Sequence, residues 1–301
     1  MAAKSFHFLA RFLLIGILSS CSKQPPLRLT LDWVLNPHHA PLVMALTQGF
    51  FKEEGLGVEL IPAQGSLEGC IQVAAGTADL ALTTEAQWII QKDKGLDLQP
   101  ILTLISQPLE VFVSRVPLDQ LKGKRIGHAS SGVGFSAAVL KRILNNQGLT
   151  ENDITAVHTK HGLVTALVSQ QVDAIVNAYR TYVLVDLKDY DEKFYIYPYE
   201  EVGIPVFAAQ VMVAHPRVDL KTKEALQRAL TKACQFLQQN PDQTWTIFKT
   251  YKPELDTAAN QSLWPLLVKV FNTDPLPISE ERHQKLKEFL KDHGLIKVPL
   301  A

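Results

Sequence analysis

Aspartate, tryptophan, asparagine and two histidines lie within eight positions of the segment LTLDWVLNPHHAP, residues 29–41. Tryptophan offers a flat apolar face on which a heteroaromatic ring can stack, and Asn and His supply donors and acceptors that orient such a ring. A buried tryptophan beside merely polar loop histidines is the alternative. A metal site is disfavoured, because adjacent histidines are awkward to direct at one ion and no spaced Cys, Asp or Glu completes the ligand set.

Glu85 follows directly after a predicted strand, in the segment LALTTEAQW, residues 80–88. Glu85 could accept hydrogen bonds from an exocyclic amine or a ring nitrogen of a ligand. Thr84 also has the character of a helix N-cap with an acidic residue in the first turn, so Glu85 could serve the helix instead. The two interpretations are compatible.

Small and polar residues end two further predicted strands, in HASSGVGFS (128–136) and NAYRTY (177–182). Around Ser130, Ser131 and Gly132, small side chains allow backbone N–H groups to approach a ligand at a helix N-terminus, although many turns of this type bind nothing. The spacing is not that of a phosphate-binding P-loop. Tyr179 could close an aromatic sandwich with Trp33, or it could be an ordinary interface tyrosine.

Short apolar runs alternate with helical stretches from residue 27 onward, which is typical of α/β units around a largely parallel sheet. Ligands of such sheets bind outside the carboxyl ends of the strands, which is where the candidate residues fall. The segment ALVSQQVDAIVNA repeats the pattern of QVAAGTADLALTT, with Asp173 and Asp79 in corresponding places. The repeat predicts two lobes of similar build, with strands at 27–31, 58–61, 80–82, 99–105, 125–128 and 173–176.

Two extended segments, 110–116 and 205–216, are predicted to cross between the lobes and act as a hinge. The first lobe then comprises residues 27–115 and 206–301, and the second comprises residues 116–205. Helices are predicted at 41–54, 67–75 and 85–94, and after residue 216 the sequence is helical, with prolines between the helices.

The first twenty residues have the layout of an export signal, with Lys4 and Arg11 before or beside a short apolar run. The run ends in Leu18-Ser19-Ser20-Cys21, which resembles the lipobox of bacterial lipoproteins. That resemblance implies a signal peptide at 1–20, a lipidated Cys21 and a tether at 21–26. Several acyl chains on one residue give stable anchoring. An ordinary signal with a chance cysteine is the alternative.

The charge balance and the missing motifs restrict the function further. The whole chain has 30 basic and 30 acidic residues, and removal of the signal leaves it slightly negative, which argues against nucleic acid as a partner. No nucleophile elbow, zinc-protease motif or dinucleotide fingerprint occurs. Cys70 and Cys234 share no metal-site spacing and can be paired or free. We therefore predict a protein that is not an enzyme and needs no metal or cofactor.

Four segments carry a resemblance to a known family: residues 29–63, AAGTADLALTTEAQ (74–87), LDQLKGKRIGHASSGVG (118–134) and VSQQVDAIVNAY (168–179). Together they resemble the NMT1/THI5-like (SsuA/THI5-like) group of type II periplasmic binding proteins over residues 27–187. The resemblance implies two α/β lobes, each a mixed sheet flanked by helices. Asp32-Trp33 with Asn36-Pro37 and His39 is similar to the branch concerned with thiamine pyrimidines.

Within that branch, the resemblance implies particular roles for the candidate residues. It places Trp33 on the ligand ring with Asn36 and His39 nearby, and it makes Glu85 a polar contact. The turn containing Ser130, Ser131 and Gly132 would face the ligand from the second lobe, with Tyr179 as a second stacking residue. Asp32 and Asn177 would orient these groups without touching the ligand, and His38 has no counterpart.

The same branch includes fungal-type pyrimidine synthases, which consume a histidine and pyridoxal phosphate. The lysine and histidine that such an enzyme needs fall here on Thr83 and Gln87, and VFAAQVMVA (206–214) replaces its cysteine-rich run. We therefore predict a monomeric, lipid-anchored extracytoplasmic protein that delivers a formylaminopyrimidine or hydroxymethylpyrimidine to an ABC permease and ATPase. A binding protein for a sulfonate, taurine or nitrate is the main alternative, and a synthase is the next.

Overall fold

Ten strands form two separate sheets in the computed structural model, which describes residues 25–129, 134–159, 162–273 and 278–297. The predicted signal peptide and Cys21 lie outside the described residues. The strands are β1 (Leu27–Thr30), β2 (Val58–Ile61), β3 (Leu80–Thr83), β4 (Gln99–Ile105), β5 (Glu110–Ser114), β6 (Arg125–His128), β7 (Thr155–His158), β8 (Ala174–Tyr179), β9 (Tyr195–Pro198) and β10 (Gln210–Ala214).

Both sheets have the same mixed organisation. The first has the strand order β2-β1-β3-β10-β4 and the second has the order β7-β6-β8-β5-β9. In each sheet the first three strands are parallel, and the fourth runs antiparallel to both of its neighbours. The predicted α/β class with two mixed sheets is therefore confirmed.

Helices flank both sheets and fill most of the carboxyl-terminal third of the chain. The α-helices are α1 (Ala40–Thr47), α2 (Phe50–Glu53), α3 (Ser66–Ala74), α4 (Glu85–Asp93), α5 (Phe135–Asn146), α6 (Leu163–Val168), α7 (Arg180–Asp186), α8 (Leu220–Gln239), α9 (Pro241–Tyr251), α10 (Ala258–Leu267) and α11 (Glu280–Asp292). The single helix predicted over 41–54 is divided at Gly49, whose φ of +80° belongs to the left-handed region that ends helices.

The repeated aspartates occupy equivalent positions in the two lobes. One oxygen of Asp79 accepts the backbone N–H of Arg28 at 2.8 Å, and one oxygen of Asp173 accepts the backbone N–H of Arg125 at 2.8 Å. Each aspartate therefore fixes the start of the strand that lies second in the order of its own sheet, β1 or β6, as the internal repeat in the sequence indicates.

The crossings between the lobes are shorter than predicted. Glu110–Ser114, which the sequence assigns to a crossing and to the first lobe, forms β5 and pairs with β8 and β9 in the second sheet. The chain therefore changes sheet within residues 106–109, and it returns to the first sheet at Gln210, beyond residues 203–209. All five residues of β5 are buried, and such a strand fits the interior of either sheet, so its sequence alone does not say which sheet it joins.

Strand β8 is longer than predicted and changes the position of two candidate residues. The sequence predicts a strand over 173–176 with Asn177 and Tyr179 behind it, whereas both residues lie within β8. Asn177 has a φ of +71°, next to a register irregularity opposite Val111–Val113. Its left-handed backbone bends the strand without ending it, which residue propensities do not reveal.

The two lobes touch on both sides of the crossings. On one side, α7 of the second lobe packs on α10 of the first lobe, and Val185 joins the first lobe's apolar core. On the other side, the ring of Phe135 in α5 lies 6.0 Å from that of Phe289 in α11 and 5.1 Å from that of Phe207 in the second crossing. The structure thus has its lobes in contact.

Cys70 and Cys234 are buried and free, which decides between the two alternatives left by the sequence. Among the residues that the structure describes, no helix is long and apolar enough to cross a membrane. Within the same ranges, no three His, Cys, Asp or Glu side chains are grouped so that they could hold a metal ion.

Candidate functional site

The loop after β1 is folded by its own polar side chains. The side-chain oxygen of Asn36 accepts the backbone N–H of His38 at 2.9 Å, and its amide donates to the carbonyl of Val34 at 2.9 Å. The backbone N–H of Asn36 donates to Nδ1 of His39 at 3.1 Å. This reciprocal capping starts the 3-10 turn Pro37–His39, which leads into α1. Asn36 and His39 thus have a structural role in shaping the loop.

Asp32 connects this loop to the strand that enters from the second crossing. Its Oδ1 accepts a hydrogen bond from Nε2 of His39 at 2.7 Å, and its Oδ2 accepts one from Nε2 of Gln210 at 3.0 Å. Burial raises the pKa of Asp32, but the contacts with His39 and Gln210 lower it by more, so the net pKa lies below the ordinary value. The carboxylate is therefore ionised at neutral pH and fully engaged.

His38 points from the first lobe into the second. Its ring centroid lies 5.3 Å from that of Tyr179 in an edge-on arrangement and 5.2 Å from that of Tyr182, and its Nε2 lies 3.2 Å from Oγ1 of Thr181. Burial, followed by the proximity of His39, lowers the pKa of His38 to about 3, so the ring is neutral. The paired histidines therefore diverge: His39 holds the loop and His38 joins the lobes.

Trp33 is the exposed member of the cluster. It keeps 36% of its surface exposed, and the neighbouring Val34 keeps 43%. The backbone carbonyl of Trp33 lies 3.5 Å from the backbone nitrogen of Ala63, which holds the loop against the chain beyond β2. An indole on an anchored loop at the carboxyl end of β1 is positioned to offer a stacking surface.

Tyr179 and its neighbours form the second lobe's side of the same region. Tyr179 is the last residue of β8 and pairs in register with Glu110 at the start of β5. Burial raises the pKa of Glu110 to about 7, and one of its oxygens accepts the backbone N–H of Leu109 at 3.1 Å. Burial also raises the pKa of Tyr179 well above its ordinary value, so the phenol stays protonated. Tyr179 thus meets the loop after β1 through His38.

Asn177 is engaged within the second lobe. Its Oδ1 accepts a hydrogen bond from the hydroxyl of Tyr199 at 3.1 Å, and Tyr199 is fully buried. The contact links β8 to the 3-10 turn Tyr199–Val202. This placement fits the predicted orienting role, which stays a prediction.

Glu85 has a separate set of hydrogen-bond partners and is fully buried. One of its oxygens accepts the backbone N–H of Ala208 at 2.8 Å, and the other accepts Nδ1–H of His283 at 2.8 Å. The side chain of Thr84 accepts the backbone N–H of Gln87 at 3.1 Å, so the predicted N-cap is confirmed. The second crossing and α11 thus hold the carboxylate, and its role in ligand binding stays a prediction.

Ser130, Ser131 and Gly132 lie outside the described residues, as part of the gap at 130–133. On either side, His128 ends β6 and Phe135 begins α5, which puts the gap at the carboxyl end of a parallel strand. The predicted contribution of this turn therefore stays a prediction.

Cavities elsewhere involve other residues. One of about 220 Å³ is lined in part by Trp88, Thr103 and His283, and one of about 370 Å³ is lined in part by Arg142 and Phe289. None of the predicted site residues lines either cavity.

Two residues of the cluster were not predicted from the sequence: His38, which contacts the second lobe, and Gln210, which bonds Asp32. His38 has no counterpart in the resemblance and stands next to a second histidine, so no sequence pattern distinguished it. Gln210 is the single polar residue in the apolar run FAAQVMVA (207–214). A buried polar side chain needs hydrogen-bond partners, so this position could have been predicted to form a specific contact.

Two mixed sheets joined by two crossings, with His38 in contact with the second lobe, define a two-lobed α/β fold. The periplasmic aliphatic sulphonate binding protein SsuA from Escherichia coli has the same fold, with a TM-score of 0.69 over 91% of this chain and 89% of that chain, at 15% identity. The model of the family described as NMT1/THI5 like matches residues 36–244. The chain belongs to the NMT1/THI5-like family.

Curated relatives fall into two groups by name. A thiamine biosynthesis protein of Haemophilus influenzae is 34% identical over 90% of this chain and 88% of its own. The formylaminopyrimidine-binding protein of Halalkalibacterium halodurans is 24% identical over 89% and 87% of the two chains. A 4-amino-5-hydroxymethyl-2-methylpyrimidine phosphate synthase of Uromyces fabae is 23% identical over 88% and 82%. The names of the relatives therefore include both a binding protein and an enzyme.

Proposed function

We propose that the chain is the solute-binding protein of an ABC importer and captures a thiamine pyrimidine precursor of the formylaminopyrimidine or hydroxymethylpyrimidine type. The observation that carries the proposal is the anchored, partly exposed Trp33 at the carboxyl end of β1, in the loop whose His38 contacts the second lobe. A flat indole suits a heteroaromatic ring better than it suits a small inorganic anion. The relative named as a formylaminopyrimidine-binding protein supports this choice of ligand.

In this proposal the ligand binds between the lobes and the lobes close on it. Trp33 stacks on the ligand ring from the first lobe, and Tyr179 contacts the ligand from the second lobe. The ring of His38 already lies against Tyr179 at the contact between the lobes. Closure excludes water and strengthens the ring's hydrogen bonds, and it requires a hinge at the two crossings. The turn at 130–133 adds backbone donors from the second lobe.

The proposed cellular arrangement follows from the amino-terminal sequence. Residues 1–20 direct export, Cys21 carries the lipid, and the protein works as a monomer on the outer side of the membrane, where it delivers its ligand to a permease and an ATPase. Mass spectrometry of the protein expressed in a bacterial host tests the anchor. We expect an acylated Cys21 in the membrane fraction and release of the Cys21→Ser variant, and an unmodified mature amino terminus would contradict the anchor.

Calorimetry with hydroxymethylpyrimidine, formylaminopyrimidine and thiamine tests the ligand. We expect saturable binding of at least one pyrimidine precursor, and about a 5- to 150-fold loss of affinity in Trp33→Ala, the range that stacking of a base on an aromatic ring provides. Tyr251→Ala is the matched control, because it removes an aromatic residue that is 43% exposed on α9. If the protein bound a sulfonate, taurine or nitrate tightly and bound none of the pyrimidines, the choice of ligand would be refuted.

The second candidate is a pyrimidine synthase, which the enzyme names among the relatives support. The places of the synthase lysine and histidine hold Thr83 and Gln87, and Thr83 is fully buried with Sγ of Cys70 3.5 Å from its hydroxyl. A threonine cannot form an imine with pyridoxal phosphate, so we expect no aldimine absorbance after incubation with that cofactor. An aldimine band would favour the synthase.

A further inference from the structure

A chain of hydrogen bonds with a fixed direction runs through the loop cluster. It starts at the backbone N–H of Asn36, which can only donate and which points at Nδ1 of His39, 3.1 Å away. Nδ1 must therefore be unprotonated, so Nε2 carries the hydrogen and donates to Oδ1 of Asp32 at 2.7 Å. The tautomer of His39 is thus set by a backbone group.

The same reasoning fixes the orientation of the next side chain. An ionised carboxylate can only accept, so Gln210 must turn its NH₂ toward Oδ2 of Asp32, 3.0 Å away. The carbonyl oxygen of Gln210 then points in the other direction. Gln210 is only 2% exposed, and Oε1 has no hydrogen-bond partner among the residues that the structure describes. Buried acceptors without a donor are rare in folded proteins and require an explanation.

The position of Gln210 in the sheet supplies one. It is the first residue of β10, which runs antiparallel to β3 and begins beside the carboxyl end of that strand, since Val211 pairs with Thr83. Gln210 therefore lies at the sheet edge where ligands of α/β proteins bind. It also follows the second crossing directly, next to the segment at which the lobes would hinge.

We propose that Gln210 is a ligand-recognition residue whose Oε1 accepts a hydrogen bond from an amine on the ligand ring. The inference rests on the proposed function and deepens it, because it selects ring ligands that carry an exocyclic amine and disfavours rings with a carbonyl oxygen at the same position. Asp32 and His39 act behind Gln210: they hold its amide in the orientation that presents an acceptor.

Two ligands that differ at this position test the inference: 4-amino-5-hydroxymethyl-2-methylpyrimidine and its analogue with a carbonyl oxygen in place of the 4-amino group, which also carries a hydrogen on a ring nitrogen. We expect the wild-type protein to bind the amine about 10- to 100-fold more tightly, because the analogue leaves two acceptors facing each other. Gln210→Met keeps the length of the side chain and removes the amide, so we expect the preference to fall to about threefold or less.

Asp32→Asn provides a sharper test, because it should reverse the preference. The donor on Nε2 of His39 still needs an acceptor, so the new amide must turn its oxygen toward His39 and its NH₂ toward Gln210. Gln210 then rotates to give its oxygen to position 32, and it presents NH₂ to the ligand. We expect this variant to bind the carbonyl analogue more tightly than the amine.

The controls distinguish a failure of the role proposed for Gln210 from a failure of the proposed function. Gln227→Met removes a glutamine that bonds the carbonyl of Ile101 from α8, and its ligand preference should match the wild type. Thermal unfolding identifies variants that do not fold, and the Gln210→Met result decides the inference if Asp32→Asn is unfolded. A folded Gln210→Met that keeps the wild-type preference overturns the inference alone, whereas a wild-type protein that binds neither hydroxymethylpyrimidine nor formylaminopyrimidine overturns the proposed function as well.

Discussion

Removal of the Glu85 carboxylate is expected to destabilise the fold more than it weakens ligand binding. The side chain is fully buried, and each of its oxygens has a donor at 2.8 Å, the backbone N–H of Ala208 and Nδ1–H of His283. These contacts hold the start of α4 to the second crossing and to α11. The ring of His283 in turn stacks on Trp88 with centroids 5.1 Å apart, so the carboxylate supports three elements at once.

The expected magnitude follows from these contacts. Glu85→Ala removes two hydrogen bonds to a charged group, each worth about 1.5 to 3 kcal/mol, and it leaves the buried N–H of Ala208 without its acceptor. The variant also no longer buries a carboxylate, which offsets part of that loss. We therefore expect the free energy of unfolding to fall by about 3 kcal/mol. Glu85→Gln retains an acceptor for Ala208 and loses the one for His283, so it should lose less, about 1.5 kcal/mol.

Urea unfolding followed by circular dichroism measures this loss. The denaturation midpoint should shift while the dependence on urea concentration stays constant, since the surface exposed on unfolding is unchanged. Thr84→Ala is the control in the same turn, and loss of its N-cap should cost about 1 kcal/mol. If Glu85→Ala retained the wild-type stability within about 0.5 kcal/mol and lost most of its ligand affinity, the structural role argued here would be refuted.

Three further predictions concern Glu110 in the second lobe and His38 at the contact between the lobes. Because burial raises the pKa of Glu110 from 4.5 to about 7, its contribution to stability is fully present below pH 4.5 and is lost as the pH rises through 7, a change of about 3 kcal/mol. Glu110→Gln should flatten the unfolding free energy measured over that range, and an unchanged slope would contradict the assignment. Because burial lowers the pKa of His38 from 6.5 to about 3, its contribution is present above pH 6.5 and is lost as the pH falls toward 3, by up to about 5 kcal/mol. His38→Phe should therefore tolerate acid better in urea titrations at pH 4, and the wild-type acid sensitivity in this variant would count against the buried neutral ring. Thr181→Val removes the 3.2 Å contact with His38 and should cost about 1 kcal/mol in the wild-type background but little in the His38→Phe background, whereas equal losses would show that the pair is not coupled.

Local patterns were sufficient for most of the secondary structure. Strands β2, β4 and β6 begin and end where the sequence predicts. β2 and β4 are short, largely apolar runs, and β6 is bounded by turn residues. The equivalence of Asp79 and Asp173 was also visible in the sequence, since both belong to a repeated helix-turn-strand unit. The assignment of Glu110–Ser114 could not be made in this way, because a strand that is buried on both faces fits either sheet.

In the candidate site, too, some features were predictable from local sequence and others depended on tertiary structure. The sequence determined which residue types stand at the ends of the strands, and it singled out Trp33, Asp32 and Tyr179 because open α/β sheets bind ligands there. Tertiary structure decided which of these side chains are already engaged. Glu85 is held by a crossing and a helix that lie more than a hundred residues away in the chain.

Only the folded chain brings Gln210 to Asp32, 178 residues apart in sequence, and turns His38 away from His39 into the second lobe. No local periodicity records such contacts, because hydrogen-bond partners between distant segments depend on strand order and on the angle between the lobes. The sequence therefore determined the class of fold and the edge of the sheet at which the candidate site lies. The three-dimensional packing decided the direction of each hydrogen bond at that edge, and with it the group that is left to recognise a ligand.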